Sequence, residues 1–248
     1  MIILKSKQEI NIMREAGAIV AEILFKLEKA LKPGITTIEL DKLAEKWIRE
    51  KGGIPTFIGY NGYAHSLCVS VNSEVVHGIP GSKTIHDGDI VSIDCGMTWK
   101  GFVADHAKTF CVGQVDTQRQ LLVQNTDLSL HMGIAAFCEG NRVGDIGAAV
   151  EHVALQHGYG VVKDFVGHGV GRRMHEEPQV PNFGKPGTGP RLKPGMVLAI
   201  EPMFNLGTGD VKVLADGWTV VTKDGAHSAH FEHTIALTEN GPEILTVL

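Results

Sequence analysis

Aromatic residues make up only 6% of the 248-residue chain, and its four cysteines form no CxxC pair. Cys68, Cys95, Cys111 and Cys138 are spread too widely for a zinc ribbon or for a small secreted fold stapled by disulfides, so reduced thiols in a cytosolic protein are the expectation. A basic excess is also missing. The chain has 23 lysines and arginines against 28 aspartates and glutamates, a net charge of −5, and so offers no overall field that would draw it to nucleic acid or to an anionic membrane. No apolar run is long enough to span a bilayer, and "MIILKSKQEINIMREAG" reaches its first charge too soon for a signal-peptide core. A cytoplasmic location is therefore expected. What the chain does have is 43% hydrophobic residues, enough to bury a sizeable core.

The local pattern repeats. Ser6 and Glu9 form a capping box ahead of a stripe through Ile12, Ala16, Ile19, Ile23 and Leu27, ended by "KPG" at 32–34. Thr36 and Glu39 open a second helix with Leu40, Leu43, Ala44, Trp47 and Ile48 on its buried side, stopped by Gly52 and Gly53. About a hundred residues later Thr117 and Gln120 are placed to cap a third helix running towards Cys138. A fourth then repeats the second: Ile146, Ala149, Val150, Val153 and Ala154, stopped by Gly158. The strands "DGDIVSID" (87–94) and "PGMVLAIE" (194–201) match as well, and each ends in a carboxylate. Two similar α+β halves, about 6–112 and 117–248, are expected within one domain of residues 1–248, with the acids meeting at the centre. The Gly- and Pro-rich Pro181–Gly195 segment reads as a surface loop.

Those acids pose an electrostatic problem. In "DIVSIDCGMTWKGFVADHAKTF" two apolar runs flank a Trp99-Lys100-Gly101 turn, and a turn centred near Trp99 and Lys100 would set Asp94 directly across from Asp105. Their Cβ atoms would be roughly 5 Å apart, where like charges destabilise a sheet. Either one aspartate turns to solvent, the register slips, or a cation sits between them. Glu201 ends the strand "MVLAIEP" and Glu232 interrupts "AHFEHTIALT", each where alternation predicts a buried or rim position. Each alone could be an ordinary strand-end acid; four together point to divalent cations.

"VGHGVGRRMHEEP" (166–178) adds two histidines. Its three glycines forbid a stable helix, so His168 and His175 cannot share a helical face as in an HExxH site, and separate roles are expected. Four carboxylates and one imidazole suit Mn, Fe or Co in a two-metal arrangement, with Zn as an alternative. His230 falls on the same strand face as Glu232; a packed or surface histidine is the ordinary reading, and a place beside the metal ligands is the other.

Taken in order, "HGIP" (77–80), "DIVSIDCG", the Asp94 and Asp105 pair, "GHGVGRRMHEEP", "MVLAIEP" and "FEHT" (231–234) resemble the type I methionine aminopeptidases from the first helix to the C-terminus. The resemblance implies a pita-bread fold, two pseudo-symmetric halves with helices outside a curved antiparallel sheet. It implies two divalent ions held by Asp94, Asp105, His168, Glu201 and Glu232, with Asp105 and Glu232 bridging. It makes Glu201 the proton acceptor from the bridging water, His175 the group beside the substrate carbonyl and His77 the group beside the scissile amide. Phe57, Tyr60, Tyr63, Cys68, His77 and Trp218 correspond to the apolar methionine pocket, in which a thioether gains sulfur–aromatic contacts. Met174 departs from the aromatic residue usual before the HEEP histidine.

The implied activity is removal of the initiator methionine from nascent polypeptides with a small second residue, by a monomer, with ribosome contact a further implication of the family and no membrane partner. By that rule Ile2 is too bulky for the chain's own Met1 to be removed. The N-terminus offers no zinc-binding extension, and the short gap from His168 to Glu201 leaves no room for a type II insertion. An Xaa-Pro peptidase of the same fold and a non-catalytic ribosome- or RNA-binding module are the competing readings. The short chain and the HGIP and HEEP pair weigh against the first, and the converging carboxylates against the second.

Overall fold

In the computed structural model, which describes residues 1–248, the Ser6 side chain accepts the Glu9 N–H and the Glu9 carboxylate accepts the Ser6 N–H, opening helix α1, Lys7–Ala30. Its buried face runs through Met13, Ala16, Val20, Ile23, Leu24 and Leu27, so the stripe is rotated from the expected one, and Ile12 and Ile19 sit half-buried at its edge. Helix α2, Thr37–Glu50, begins where the Glu39 carboxylate accepts both the backbone N–H and the hydroxyl of Thr36. Helices α3, Thr117–Ala136, and α4, Val143–His157, form the second pair, and α4 stops on Gly158 at φ +73°. The cap of α3 differs from the expectation. Asp116, not Thr117, accepts the Arg119 N–H, since a short charged carboxylate one residue earlier is the stronger acceptor, and Thr117 becomes the first helical residue.

Each helix pair covers a sheet. Ile90–Trp99 runs antiparallel between Leu67–Val71 and Phe102–Cys111, and Ile23, Leu27, Leu40 and Ile48 pack on its Ile93 and Met97. The second sheet has five strands in the order Gly241–Ile244, His233–Thr238, Val197–Ile200, Gly167–Gly169, Glu176–Val180. Ile134 of α3 and Ile146 of α4 pack there against Leu198, Ile200 and Ile235. The sheets join at one seam. Ala107 and Glu232 exchange N–H···O bonds of 2.8 and 3.3 Å, and Thr234 Oγ1 accepts the Asp105 N–H (3.0 Å) and donates to its carbonyl (2.8 Å). Pro181–Gly195 carries no helix or strand and is largely exposed, as a surface loop should be.

The hairpin corrects one expectation. Its turn falls on Lys100 and Gly101, at φ +48° and +80°, one residue later than read. Two successive positive φ angles give the two-residue turn whose twist matches that of the strands, and glycine takes the second without strain. The register therefore pairs Asp94 with Ala107 and Asp105 with Gly96. The aspartates are not opposed but diagonal, two residues apart on the same face, still close enough to compete for one space.

Candidate active site

The seam gathers the acids. Asp94 and Asp105 come from the hairpin, His168 from the short strand between two glycines, Glu201 from the end of Val197–Ile200, and Glu232 from the bridge to Ala107. The donor atoms of Asp105, His168 and Glu232 lie within 4.8 Å of one another. His168 Nε2 is 3.6 Å from Glu201 Oε1. The other nitrogen of His168, Nδ1, is 2.9 Å from the Gly169 carbonyl, to which it can only donate; the lone pair is left on Nε2, facing the carboxylates. The approach needs glycine: a Cβ on Gly167 would stand 2.4 Å from the Ala199 carbonyl oxygen.

These acids are costly as they stand. Burial first, then the charges of Asp105 and Glu201, push Asp94 well above the carboxylate range, and burial with the neighbouring acids does the same to Glu232. Burial and the charge of Glu201 raise Asp105 to about 7, and burial raises Glu201 to about 8. Asp94 Oδ1, Asp105 Oδ1 and Glu232 Oε1 are buried without a hydrogen-bond partner. Burial and then His175 lower His168 to about 4, keeping it a neutral donor. Unpaired carboxylate oxygens around a neutral imidazole are the donor set a divalent cation takes up, so these residues fit the metal that the sequence implied.

The same cavity, about 270 Å³, continues into an apolar wall. Phe57, Tyr63, Cys68 and Met174 belong to one buried cluster, with Tyr60 and Trp218 packed against it and the Tyr63 and Trp218 rings 4.8 Å apart. Gly96 permits it: a Cβ there would stand 2.5 Å from the Phe57 ring. Burial, then Asp94, raises the Cys68 thiol and keeps it neutral. His175 lies between the two ends, its ring 4.3 Å from that of His168 and its Nδ1 bonded to the Tyr60 hydroxyl at 2.5 Å. His77 holds φ +59°, a strained value for a non-glycine residue, with its ring 5.6 Å from Phe165 and 6.4 Å from Trp218. Burial, then His230 and His175, lower it to about 4, so it is neutral near pH 7. Every site residue named from the sequence lines this one cavity, and Asn61 joins them.

The sequence pattern of metallopeptidase family M24 matches residues 11–239. A methionine aminopeptidase of Clostridium perfringens is 52% identical over 248 residues, covering 100% of both chains, and methionine aminopeptidase 1 of Bacillus subtilis is 53% identical over 99% of each. The chain belongs to metallopeptidase family M24. Within that family, the crystal structure of the methionine aminopeptidase of Thermotoga maritima matches at TM-score 0.98 and 45% identity over 100% of both chains. Prolidase from Pyrococcus horikoshii, 22% identical, shares the fold at TM-score 0.78 over 98% of this chain and 63% of its own. The pita-bread architecture expected from the sequence is the fold of this M24 chain.

Two supports of the site were not read from the sequence, and a third was read only in part. Asp41 of α2 is buried, and its carboxylate accepts the N–H groups of Ser66 (2.8 Å) and Leu67 (2.9 Å), fixing the strand that carries Cys68. An aspartate in an amphipathic helix ordinarily marks the solvent face, so nothing local gave it away. Lys5 Nζ meets Glu176 Oε2 at 2.6 Å with both side chains almost wholly buried, and Glu176 Oε1 accepts the Arg173 N–H, tying the N-terminal segment to the loop of His175. Only the first glutamate of "HEEP" hinted at this, since partners 171 residues apart carry no common signal. His230, left between two readings, is buried, with Nε2 3.6 Å from Glu201 Oε2.

Proposed function

We propose that this chain is a metal-dependent methionyl aminopeptidase that removes the first methionine from polypeptides whose second residue is small. One observation carries the reading: a single cavity joins an aromatic, thioether-sized wall at Tyr63 and Trp218 to a cluster of carboxylates around His168. An apolar wall beside such a cluster suits an apolar first side chain held next to a hydrolytic centre.

Asp94, Asp105, His168, Glu201 and Glu232 would hold the metal, two ions of Mn, Fe or Co, with Zn as the alternative. Divalent ions there would supply a nucleophile at neutral pH and polarise the substrate carbonyl. The chain's own residues do the rest. Phe57, Tyr60, Tyr63, Cys68, Met174 and Trp218 bury the methionine side chain, and His77 joins them at the edge. That anchoring fixes the first peptide bond and converts a bimolecular attack into an oriented one. Glu201, whose buried carboxyl retains protons readily, receives the proton of the attacking water and returns it to the leaving amine. His175, with Nδ1 engaged by Tyr60, is left with Nε2 to steady the oxygen of the tetrahedral intermediate. His77 approaches the scissile amide.

Residues 1–248 act as a single catalytic domain of two halves, monomeric and cytoplasmic, on emerging peptide chains at or near the ribosome. No helix is long and apolar enough to cross a membrane. The test is turnover of Met-Ala-Ser against an Xaa-Pro peptide after chelation and reloading with Mn, Fe or Co. Release of methionine only from Met-Ala-Ser and only in the reloaded protein is expected. Preference for the Xaa-Pro peptide, or turnover indifferent to chelation, would sink the reading.

A further inference from the structure

Glu201 stands between two imidazoles. Its Oε1 lies 3.6 Å from His168 Nε2, and its Oε2 lies 3.6 Å from His230 Nε2. The proposed reaction uses the first and says nothing of the second. Yet His230 is 2% exposed, and its Nε2 is buried without a hydrogen-bond partner. A polar nitrogen in that state is not explained by packing, because an apolar side chain of the same shape would fill the space without the desolvation cost.

The backbone carrying the ring is held from several sides. Thr109 Oγ1 accepts the His230 N–H (2.9 Å) and donates to the His230 carbonyl (2.7 Å), and the Ser92 hydroxyl bonds to Thr109 in turn (2.8 Å). His230 also pairs with Met203, two residues past Glu201, so the two side chains spring from neighbouring backbone. Glu201, by contrast, has three rotatable side-chain bonds, and its carboxylate makes no hydrogen bond. The backbone of His230 is anchored, and the longer Glu201 side chain has more bonds about which to turn.

We propose that His230 is a positioning residue for Glu201: its Nε2–H donates to Glu201 Oε2, which turns Oε1 towards His168 and the carboxylate cluster. A neutral imidazole has one N–H, and an ionised carboxylate facing Nε2 selects the tautomer that carries the proton there. The opposite tautomer would set a lone pair against a carboxylate oxygen. Closing 3.6 Å to a hydrogen bond takes only a small rotation of Glu201, of the kind that tightens when a site is filled. The inference rests on reading Glu201 as a proton acceptor at a metal site.

The experiment compares His230→Gln, whose amide nitrogen can reach where Nε2 stands, with His230→Asn, whose amide nitrogen falls short. Parent and variants are stripped of metal, checked by thermal melting and titrated with Mn in a calorimeter, and then assayed on Met-Ala-Ser. The parent must bind Mn and release methionine; failure there overturns the functional reading itself. With the parent active, His230→Asn should bind Mn about tenfold more weakly, with kcat falling more than KM, and His230→Gln should stay within about threefold of the parent. Two variants both equal to the parent would overturn the positioning role. Two variants equally impaired would overturn it as well, because the imidazole itself, and not its N–H, would then be what the site needs.

Discussion

Loading the metal site should expel protons in a number the structure sets. Burial and the charge of Glu201 raise Asp105 to about 7, burial raises Glu201 to about 8, and a divalent ion binds only the ionised forms. At pH 6.5 Asp105 is about three-quarters protonated and Glu201 nearly fully so, and about 1.7 protons must leave as they become ligands. At pH 9 the same two groups hold only about 0.1 proton. Asp94 and Glu232 are shifted in the same direction and add to the release. His168, lowered to about 4, is already neutral across this range and adds nothing. The sign follows: the folded metal-free protein retains protons that metal displaces, so affinity rises with pH, by close to a hundredfold per unit below about pH 6 from Asp105 and Glu201 alone and more steeply with Asp94 and Glu232 added. Calorimetric titration with Mn in buffers of different ionisation enthalpy reads the proton count directly. Release of less than about half a proton at pH 6.5, with Mn bound at full occupancy, would mean that these carboxylates are ionised before metal arrives. The account of a buried, mutually repelling cluster would then fall.

Further substitutions separate the roles. Asp105→Asn should lower both metal content and turnover, because a neutral amide cannot replace a carboxylate within 4.8 Å of His168 and Glu232; full metal by elemental analysis with normal turnover would remove Asp105 from the ligands. His168→Ala should lose metal, whereas His175→Ala should keep it and lose about 2–4 kcal/mol of transition-state stabilisation, read from kcat at matched loading. Lys5→Met leaves Glu176 charged and buried and should cost about 3 kcal/mol in denaturant unfolding, with Lys5→Met/Glu176→Gln recovering part of it; an unchanged midpoint would show that the pair is solvated. Met174→Phe should sharpen the choice between Met-Ala-Ser and Leu-Ala-Ser by about 1 kcal/mol in kcat/KM, and an unchanged ratio would place residue 174 outside the pocket's selectivity.

The sequence disclosed the elements whose cause is local. Ser6 with Glu9 and Gly158 at the end of α4 act through neighbours a few residues away, and both behave as their spacing predicts. The gathering of the acids was legible for a different reason: each is ordinary alone, but four carboxylates in apolar strand segments, Asp94, Asp105, Glu201 and Glu232, cannot all be buried apart, and they share one cavity. The failures share one physics. The hairpin register hung on whether Trp99 or Gly101 entered the turn, a difference of one residue that moved Asp94 from facing Asp105 to facing Ala107. Only the glycine tolerates φ +80° without strain, which places Gly101 in the turn and Trp99 in the strand. The Lys5–Glu176 pair and the Asp41 anchor were illegible because each charge looks solvated in its own segment and becomes buried only when a distant segment covers it. His230 was half legible: alternation gave its face, and only the packed strands gave its burial.

The position of the acids at the seam explains why the chemistry needs both halves. One hairpin supplies Asp94 and Asp105, and neither aspartate could be buried there alone without neutralisation or a partner. The second sheet supplies His168, Glu201 and Glu232, and these lie on strands whose opposite face packs the separate core of Ile134, Ile146 and Ile235. Each core is built by its own helix pair, so the charged seam can remain poorly satisfied without threatening either. Between them run an apolar cluster, in which Met13, Phe102 and Val103 meet Val170, Val197 and Ala236, and a set of polar contacts: the Ala107–Glu232 bridge, the two bonds of Thr234 to Asp105 and those of Thr109 to His230. A cation drawing ligands from both sides would complete this crossing, joining groups that otherwise repel one another. Holding charge where two helix-covered cores meet is thus what makes the site both tolerable to the fold and available to a metal.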